Sequence, residues 1–412
     1  MQPTQVSVIG LGYIGLPTAA VIASRGVQVC GVDVSQETVD TINRGEIHIV
    51  EPDLDIVVRG AVTTETLRAT CTPEPSDVFI VAVPTPFTDG HEPDLSFIES
   101  AANAIAPVLK EGDLIILEST SPVGATEKLC RWIAAARPDL RLPHEHPDDA
   151  QLFVAHCPER VLPGYVLQEL VANDRVIGGI TRRCAERARD LYKLFVKGEC
   201  ILTTARTAEM AKLTENAFRD VNIAFANELS LICDDSGIDV WELIELANLH
   251  PRVNILNPGP GVGGHCIAVD PWFIVSSNPE KARLIRTART VNDSKPGFVV
   301  DKVVEAADQF KQPVIACLGL AFKANIDDLR ESPALEICRE VSRRGLGEVL
   351  AVEPNISALP ASAADDGFEL THLEDALERA NVVVILVDHD EFRSLDRKRM
   401  NTKLVVDTRG VL

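Results

Sequence analysis

The chain has 412 residues, too many for a single hydrophobic core, so we expect two or three domains. Apolar residues make up 46% of the sequence and charged residues 25%, and no uncharged run approaches the roughly 20 apolar residues that a membrane span needs. The net charge of -21 argues against nucleic-acid binding, and an anionic substrate would need lysines and arginines gathered at its site.

The N-terminal residues enter a strand pattern at once and leave no room for a signal peptide. Together with the composition, this predicts a cytoplasmic protein with no membrane partner and no nucleic-acid partner.

Residues 5–33 have the pattern of a strand, a glycine-rich turn, a helix and a second strand that ends in an acid. Gly10, Gly12 and Gly15 have the spacing G-x-G-x-x-G after the run VSVI, and Asp33 follows the run VQVCGV. The glycines would allow a tight turn, the approach of a pyrophosphate and close packing of the helix on the strand. Asp33 would accept from ribose hydroxyls and repel a 2′-phosphate. This order of elements predicts a domain that binds NAD rather than NADP.

Apolar runs and helical patterns continue to alternate through 77–86, 113–120 and 152–160, which predicts a parallel sheet covered on both faces. Ligand-binding residues in such sheets lie just beyond the carboxyl ends of the strands. Three polar residues have that position: Thr85, Thr120 and Glu159. The alternative is that these side chains only cap the helices that follow.

Ten cysteines are scattered along the chain without the C-x-x-C pair of a zinc ribbon or a dithiol redox motif. In a reducing cytosol most of them should be small, buried and inert. His144 and His146 lie in the polar, proline-rich stretch 137–150 with no further ligands close in sequence, so this stretch is interpreted as a solvated loop. We expect no metal.

A long helical pattern opens at Thr207 and ends near Gly237. Lys212, Asn216 and Arg219 lie on one face of this helix. The three side chains are either a solvated face or part of a site, and the pattern alone leaves both open. A helix of this length between two α/β lobes is also a natural dimer surface.

From residue 314 a second series of strands and helices begins, without a G-x-G-x-x-G set. Its apolar strands lie in VIACLGL, EVLAVEPN, NVVVILVDHDEF and KLVVDTRG. The sequence therefore predicts an α/β protein with two Rossmann-like open parallel-sheet domains joined by a long helical connector. The predicted boundaries are 1–200, 201–300 and 301–412.

Cys266 lies in NPGPGVGGHCIAVD, where two prolines and four glycines prevent regular helix or strand. A structural cysteine normally packs inside an element, whereas this loop would expose the thiol and let backbone N–H groups approach an oxyanion. His265, Cys266 and Asp270 are too close in sequence to form a metal site unaided. A nucleophile is therefore the favoured interpretation.

Several motifs occur in an order and spacing that make coincidence implausible. They are GLGYIGLP, VAVPTP, STSPVGAT, CPERVLPG, AKLTENAFRDVNIAFANEL, PGPGVGGHC, GLAFKANIDDLRESPA and DTRG. Through them nearly the whole chain resembles the UDP-glucose/GDP-mannose dehydrogenases, which are four-electron oxidases of sugar nucleotides.

Within that family, GGHCIAVDPW and RLIRTARTVND are most similar to members that oxidise UDP-N-acetyl-D-mannosamine. UDP-glucose members usually carry a lysine where this chain has Val269. The resemblance therefore implies UDP-N-acetyl-D-mannosamine as the substrate and surface polysaccharide synthesis as the use of its product. UDP-N-acetylglucosamine and UDP-glucose are the alternatives.

The resemblance also implies a chemical route. Two NAD molecules in succession would oxidise a primary alcohol to a carboxylate, and Cys266 would hold the aldehyde as a thiohemiacetal and then as a thioester. Lys212 would transfer a proton or stabilise the oxyanion, and Asn216 would share that oxyanion and hold a water. Asp270 would order the base and the water, and Glu159 would be the base for thioester hydrolysis.

The remaining site residues follow from the same motif matches. The cofactor contacts implied are Gly10, Gly12, Tyr13, Ile14, Gly15, Asp33, Thr85, Thr120, Thr126 and Arg330. The substrate contacts implied are Arg160, Val161, Lys212, Asn216, Arg219, His250, Arg252, Gly263, Phe322, Lys323 and Arg409. Arg252 would reach the site of a neighbouring subunit, so we expect a homodimer or a higher homo-oligomer.

In the same comparison, residues 1–200 would bind NAD, 201–300 would carry the dimer interface and the catalytic loop, and 301–412 would bind the UDP-sugar. Two other classes of protein are alternatives. A 6-phosphogluconate-type or β-hydroxyacid dehydrogenase would lack the Cys266 loop and the second α/β lobe. An NAD-sensing protein without activity would need no thiol in a glycine-rich loop.

Overall fold

A computed structural model describes residues 3–88, 90–162, 164–264 and 266–412. The chain divides into two compact units, one ending at Thr214 and the other beginning at Glu215. None of the described helices is both long enough and apolar enough to cross a membrane. Each unit holds its own open sheet, and the α/β fold class expected from the sequence is confirmed.

The first unit alternates strands with helices. Its strands are β1 (Gln5–Ile9), β2 (Gln28–Val32), β3 (Leu67–Thr70), β4 (Val78–Val81), β5 (Leu114–Leu117), β6 (Phe153–His156), β7 (Arg175–Gly179) and β8 (Cys200–Thr204). Its helices are α1 (Gly15–Ala23), α2 (Gln36–Asn43), α3 (Leu54–Thr63), α4 (Ser96–Ile105), α5 (Ala125–Ala136), α6 (Val166–Ala172) and α7 (Arg182–Tyr192). The strands form one sheet in the order β3-β2-β1-β4-β5-β6-β7-β8, in which the first six have the order of a dinucleotide-binding sheet.

Two hydrophobic cores lie on the two faces of this sheet. The central strands β4 and β5 read VFIV and LIIL and are buried throughout, as expected for strands covered on both sides. Val78 and Ile80 belong to the core that includes α1, whereas Phe79 and Val81 belong to the core that includes α4 and α5. The two-residue period of the strands therefore divides the side chains between the two layers.

Two strands depart from the parallel sheet that the sequence predicts, because β8 is parallel to β7 and both run opposite to β1–β6. β7 runs antiparallel to β6, with Ala155 opposite Gly179, whereas the other strand pairs of the sheet are parallel. Arg175, the first residue of β7, forms a 2.6 Å ion pair with Glu159, three residues beyond β6. This register places the two charges opposite each other, and their pairing favours the reversed direction.

The second unit combines helices with a smaller sheet. The 32-residue helix α8 (Ala205–Ser236) begins before the boundary at Thr214 and continues into this unit. The further helices are α9 (Val240–Asn248), α10 (Asp270–Ser277), α11 (Arg283–Ala307), α12 (Pro333–Arg343), α13 (Leu373–Arg379), α14 (Asp390–Arg393) and α15 (Arg397–Met400). The strands are β9 (Val314–Leu318), β10 (Glu348–Val352), β11 (Glu369–Leu370), β12 (Val382–Ile385) and β13 (Leu404–Asp407). They form a parallel sheet in the order β11-β10-β9-β12-β13.

Candidate active site

The turn between β1 and α1 has the geometry that a dinucleotide requires. Gly10 has a φ of +91°, and a Cβ there would lie 2.6 Å from the carbonyl oxygen of Ala82. A Cβ on Gly15 would lie 1.8 Å from the carbonyl oxygen of Gly10, so only glycine permits this approach of α1 to the turn. A Cβ on Gly12 would meet no described atom within 4 Å, which leaves room for a pyrophosphate beside the backbone.

Asp33 lies directly after β2 and holds the same turn in place. One carboxylate oxygen accepts from the backbone N–H of Leu11 at 3.0 Å, and the other accepts from Ser35 at 2.9 Å. The carboxylate therefore stands beside the glycine turn, where the fingerprint places the acid that binds a ribose. Together with the open space at Gly12, this arrangement fits NAD.

The other residues proposed to contact the cofactor in this unit have clear structural partners. The Thr85 hydroxyl donates to the carbonyl of Thr120 at 2.6 Å and ties the loop after β4 to the loop after β5. Thr126 is buried, and both its N–H and its hydroxyl donate to Glu209, at 2.8 and 2.6 Å. Tyr13 is exposed at the turn and Ile14 is half-buried beside it.

Glu159 lies in a buried cluster of charges beyond the end of β6. One of its carboxylate oxygens accepts from the Arg160 N–H at 2.7 Å, and the other accepts from Arg175 at 2.6 Å. Glu118 is also buried and accepts from the Tyr192 hydroxyl at 2.8 Å. Burial, together with the charge of Glu159, raises the pKa of Glu118 to about 7, although Arg175 opposes the rise.

The neighbours of Glu159 in the motif are less constrained. The Arg160 guanidinium donates to the carbonyl of Asp174 at 3.3 Å. Val161 is half-buried and packs against the core of the first unit. Pro163 lies outside the described residues.

In the second unit, Cys266 is the exposed member of a set of ten cysteines, of which seven are buried and two are half-buried. Its carbonyl accepts from the N–H groups of Val269 and Asp270, at 3.2 and 2.9 Å, in the turn that leads into α10. Asp270 is the first residue of α10 and is buried, and its carboxylate accepts from the Asn216 amide of α8 at 2.5 Å. The structure therefore brings Asn216 and Asp270 together within one turn of the thiol-bearing residue.

The loop before Cys266 fits closely around residues of the C-terminal lobe. Gly264 has a φ of +82°, and a Cβ there would lie 2.9 Å from the ring of Phe322. A Cβ on Gly263 would lie 2.3 Å from the Glu331 carbonyl oxygen. At the start of the loop, a Cβ on Gly259 would lie 2.6 Å from the guanidinium of Arg409, which is itself paired with Asp388. Phe322 and Arg409 thus border the same loop, as they must if both contact one ligand.

The other proposed substrate residues are mostly at the surface. Arg219, His250 and Arg252 are exposed, and the His250 ring accepts from the Arg252 N–H at 3.3 Å. Lys212 is half-buried on α8, one helical turn before Asn216. Lys323 is also half-buried.

Arg330, proposed to contact the cofactor, lies in the second unit and pairs with Asp328 at 2.5 Å. His265, next to the thiol, lies outside the described residues.

The stretch 137–150 contains neither helix nor strand, although Leu142 and Pro143 within it are buried. No group of three His, Cys, Asp or Glu side chains that could hold a metal occurs among the described residues.

The sequence analysis missed several residues that fix candidate site segments within each unit. Glu209 accepts from the N–H of Gly124 at 2.6 Å as well as from Thr126, and thereby fixes the start of α5. Asn227 and Asn292 form a buried amide pair below the Cys266 loop. The spacing of residues along α8 gives no signal for these contacts, because the partners lie 32 or more positions away.

Comparison with known proteins agrees with this geometry. Three domain models of one family match successive parts of the chain: the NAD binding domain at residues 4–196, the central domain at 206–294 and the UDP binding domain at 316–412. The chain belongs to the UDP-glucose/GDP-mannose dehydrogenase family. It is therefore an NAD-dependent nucleotide-sugar dehydrogenase that takes a UDP-sugar.

Individual relatives cover almost the whole chain. An NDP-N-acetyl-D-galactosaminuronic acid dehydrogenase of Ralstonia nicotianae is 66% identical over 406 residues, which are 98% of this chain and 96% of that protein. A UDP-N-acetyl-D-mannosamine dehydrogenase of Salmonella typhi is 61% identical over the full length of both chains. The solved structure of a UDP-D-ManNAc dehydrogenase from Pyrococcus horikoshii has a TM-score of 0.89 and 41% identity, and the match covers 99% of this chain and 96% of that one.

Proposed function

We propose that this enzyme oxidises the C6 hydroxymethyl group of UDP-N-acetyl-D-mannosamine to a carboxylate, with reduction of two NAD molecules per sugar. The observation that carries the proposal is the exposed Cys266 at the end of a glycine-rich loop, beside the hydrogen-bonded pair of half-buried Asn216 and buried Asp270. A two-electron alcohol dehydrogenase needs no thiol, whereas a second oxidation needs a tetrahedral adduct of the aldehyde, which a thiol can form and retain. The full-length similarity to UDP-N-acetyl-D-mannosamine dehydrogenases supports the choice of sugar.

Gly10, Gly12, Tyr13, Ile14, Gly15, Asp33, Thr85, Thr120, Thr126 and Arg330 would hold NAD. When bound, one NAD molecule would accept a hydride from the alcohol, and a second NAD molecule bound in its place would accept a hydride from the covalent adduct. Asp33 has one carboxylate oxygen on Leu11 and the other on Ser35, and both oxygens retain lone pairs that can accept from ribose hydroxyls.

The side chains of the protein manage the protons and the covalent bond. Lys212 takes the proton of the C6 hydroxyl as the aldehyde forms. The Cys266 thiolate then adds to the aldehyde carbon, and the oxygen of the thiohemiacetal receives a hydrogen bond from Lys212 or Asn216. After the second oxidation the adduct is a thioester. Water attacks its carbonyl carbon, the C–S bond breaks, and the thiolate and the uronic acid are released.

Two carboxylates have different parts in this scheme. Asp270 is buried and accepts from Asn216, so it holds the amide in one orientation toward the thiol-bearing turn. Glu159 is the base that activates the hydrolytic water, and its carboxylate is held in place by the Arg175 guanidinium and the Arg160 N–H.

The substrate contacts proposed are Arg160, Val161, Arg219, His250, Arg252, Gly263, Phe322, Lys323 and Arg409. Phe322 and Lys323 would contact the uridine and the pyrophosphate. The cationic residues of this set would offset the net charge of -21 at the site.

We further propose three functional domains at 1–200, 201–300 and 301–412, supported by the family matches at 4–196, 206–294 and 316–412. The product would be an acidic amino sugar for surface polysaccharides.

A second sugar deserves a test because of the 66% identity to an NDP-N-acetyl-D-galactosaminuronic acid dehydrogenase. UDP-N-acetylgalactosamine has the same acetamido group as UDP-N-acetyl-D-mannosamine and differs in hydroxyl and acetamido configuration. The experiment is a comparison of kcat/KM for UDP-N-acetyl-D-mannosamine, UDP-N-acetylgalactosamine, UDP-N-acetylglucosamine and UDP-glucose with NAD.

We expect kcat/KM to be at least tenfold higher for the mannosamine compound than for the other three. Highest activity with the galactosamine compound would transfer the proposal to that sugar. Highest activity with UDP-glucose would refute the assignment to an acetamido sugar.

We also propose a homodimer formed through α8. Phe218, Phe225 and Ile232 recur every seven residues along this helix and are all more than half exposed in the single chain. A self-complementary apolar stripe of this kind suits a two-fold interface. Sedimentation equilibrium should give twice the chain mass, and Phe225→Glu should shift the protein toward one chain mass. A monomeric wild-type protein would refute the dimer.

A further inference from the structure

A chain of four hydrogen-bonded groups runs from α8, through α11 and back to α8, and ends at the backbone of the Cys266 loop. The Asp220 carboxylate and carbonyl accept from the Asn292 amide nitrogen at 2.8 and 3.1 Å. The Asn292 amide oxygen accepts from the Asn227 nitrogen at 2.9 Å. The Asn227 oxygen accepts from the N–H of Gly259 at 2.9 Å.

The two ends of this chain fix the direction of every bond in it. An ionised carboxylate only accepts hydrogen bonds, so Asn292 must present its nitrogen to Asp220 and its oxygen to Asn227. A backbone N–H only donates, so Asn227 must present its oxygen to Gly259. Both amides are thereby held in a single orientation, because a flip of either would place two acceptors or two donors face to face.

The chain is buried and anchored by charge. Asp220 and Asn227 have no exposed surface, and Asn292 is 1% exposed. The buried Arg289 of α11 donates to the Asp220 carboxylate at 2.7 Å and also pairs with Asp293. Burial raises the strength of these bonds and the cost of leaving one of the groups unpaired.

Gly259 is where this anchored network meets the catalytic loop. It lies seven residues before Cys266 and is flanked by Pro258 and Pro260, so a restraint on its N–H is transmitted along a stiff segment. At Gly264, near the other end of the loop, the backbone lies against the Phe322 ring. The loop is therefore held at both ends of the segment that leads to the thiol.

We propose that Asn227 is a positioning residue for catalysis, which acts by fixing Gly259 and hence the path of the loop that presents Cys266. This inference rests on the proposed function, because it takes Cys266 as the nucleophile. A residue that only joined α8 to α11 would direct its last hydrogen bond to α11. Asn227 directs it instead to the loop.

The test is Asn227→Ala, with Asn222→Ala as the matched control. Asn222 is on the same helix, but its amide donates to the carbonyl of Phe218 within that helix. Hydrogen exchange of the segment 259–266 is measured by mass spectrometry on the full chain, together with kcat and KM for the sugar that the panel identifies. We expect Asn227→Ala to speed exchange in this segment at least tenfold and to lower kcat at least tenfold. KM should change less than threefold, and exchange in β9 should stay at the wild-type rate. The control should match the wild type.

A kcat within twofold of the wild type, or unchanged exchange in 259–266, would overturn the proposal. If Asn227→Ala shows no cooperative unfolding transition, Asn292→Ser, which breaks the chain one link further from the loop, is judged by the same criteria. Loop exchange needs neither substrate nor an intact thiol. The exchange measurement therefore gives its result even if the proposed sugar or the thioester route is wrong.

Discussion

Glu118 should make the protein less stable as the pH rises through neutrality. Burial, with a further contribution from Glu159, raises its pKa to about 7, compared with 4.5 for an ordinary glutamate. Between these values the folded protein holds a proton that the unfolded chain has lost, so unfolding releases a proton and stability falls with increasing pH. Integrated from pH 5 to pH 8, this linkage amounts to about 2.5 kcal/mol.

Glu118→Gln removes the titration while keeping the shape. The Gln oxygen can still accept from Tyr192, and its nitrogen can donate to the Thr18 hydroxyl, which faces the other carboxylate oxygen at 3.4 Å. Relative to wild type, the variant should therefore gain about 2.5 kcal/mol of unfolding free energy between pH 5 and pH 8. Other titrating groups, such as His156, whose pKa burial lowers to about 3, occur in both proteins and cancel in this difference.

The assay is urea unfolding of both proteins at pH 5, 6, 7 and 8, followed by tryptophan fluorescence and circular dichroism. Glu186→Gln is the control, because this glutamate of α7 has a side chain that is 43% exposed and that pairs only with Arg182 among the described residues. The control should follow the wild type at every pH. A difference between Glu118→Gln and wild type that stays constant within about 0.5 kcal/mol from pH 5 to pH 8 would refute the reasoning.

Three further predictions concern the cofactor turn, the loop and the buried ion pair. Asp33→Ala removes the carboxylate beside the glycine turn, so kcat/KM for NAD should fall at least tenfold and the ratio of NADP to NAD activity should rise. An unchanged ratio in initial rates would contradict this role. Gly264→Ala should lower kcat/KM for the UDP-sugar at least tenfold, since the new Cβ meets the Phe322 ring. Gly345→Ala, also at positive φ but with no atom of the described residues within 4 Å, should leave steady-state kinetics unchanged, and equal effects would be inconsistent with the contact. Arg175→Met leaves a buried carboxylate unpaired and should cost about 3–5 kcal/mol in urea unfolding, and a loss below about 1 kcal/mol would show that the pair is not needed.

Much of the fold could be predicted from the sequence because its central strands are apolar on both faces. β4, β5, β9 and β12 read as short Val/Ile-rich runs followed by turn residues, and they occur as expected. Peripheral strands gave a weaker signal. β3 reads LRAT with one exposed position, and β7 reads RVIGG, so neither has an apolar run.

The reversed direction of β7 and β8 could not be predicted from the sequence, for a physical reason. The ion pair between Glu159 and Arg175 that accompanies this direction becomes visible only when the register of β6 and β7 is known. Local patterns predict strands, but the pairing of two buried charges is a tertiary event.

The candidate site divides in the same way. The exposure of Cys266 was predictable, because prolines and glycines exclude the regular elements in which other cysteines are buried. The proximity of Asn216 to Asp270 and the link from Asn227 to Gly259 were not, since each joins helix α8 to a distant segment. Side-chain amides on a helix have no sequence pattern that distinguishes a solvated group from a buried one.

The central claim is that Cys266 carries the sugar through a second oxidation. The most direct measurement is the number of NADH molecules formed per UDP-N-acetyl-D-mannosamine consumed, for wild type and Cys266→Ser, with intact-mass analysis of the protein. The account predicts two NADH per sugar for wild type. It also predicts that the variant stalls after at most one turnover, with a sugar adduct on the chain. One NADH per sugar, or a fully active Cys266→Ser variant, would contradict the covalent route and indicate a two-electron dehydrogenase.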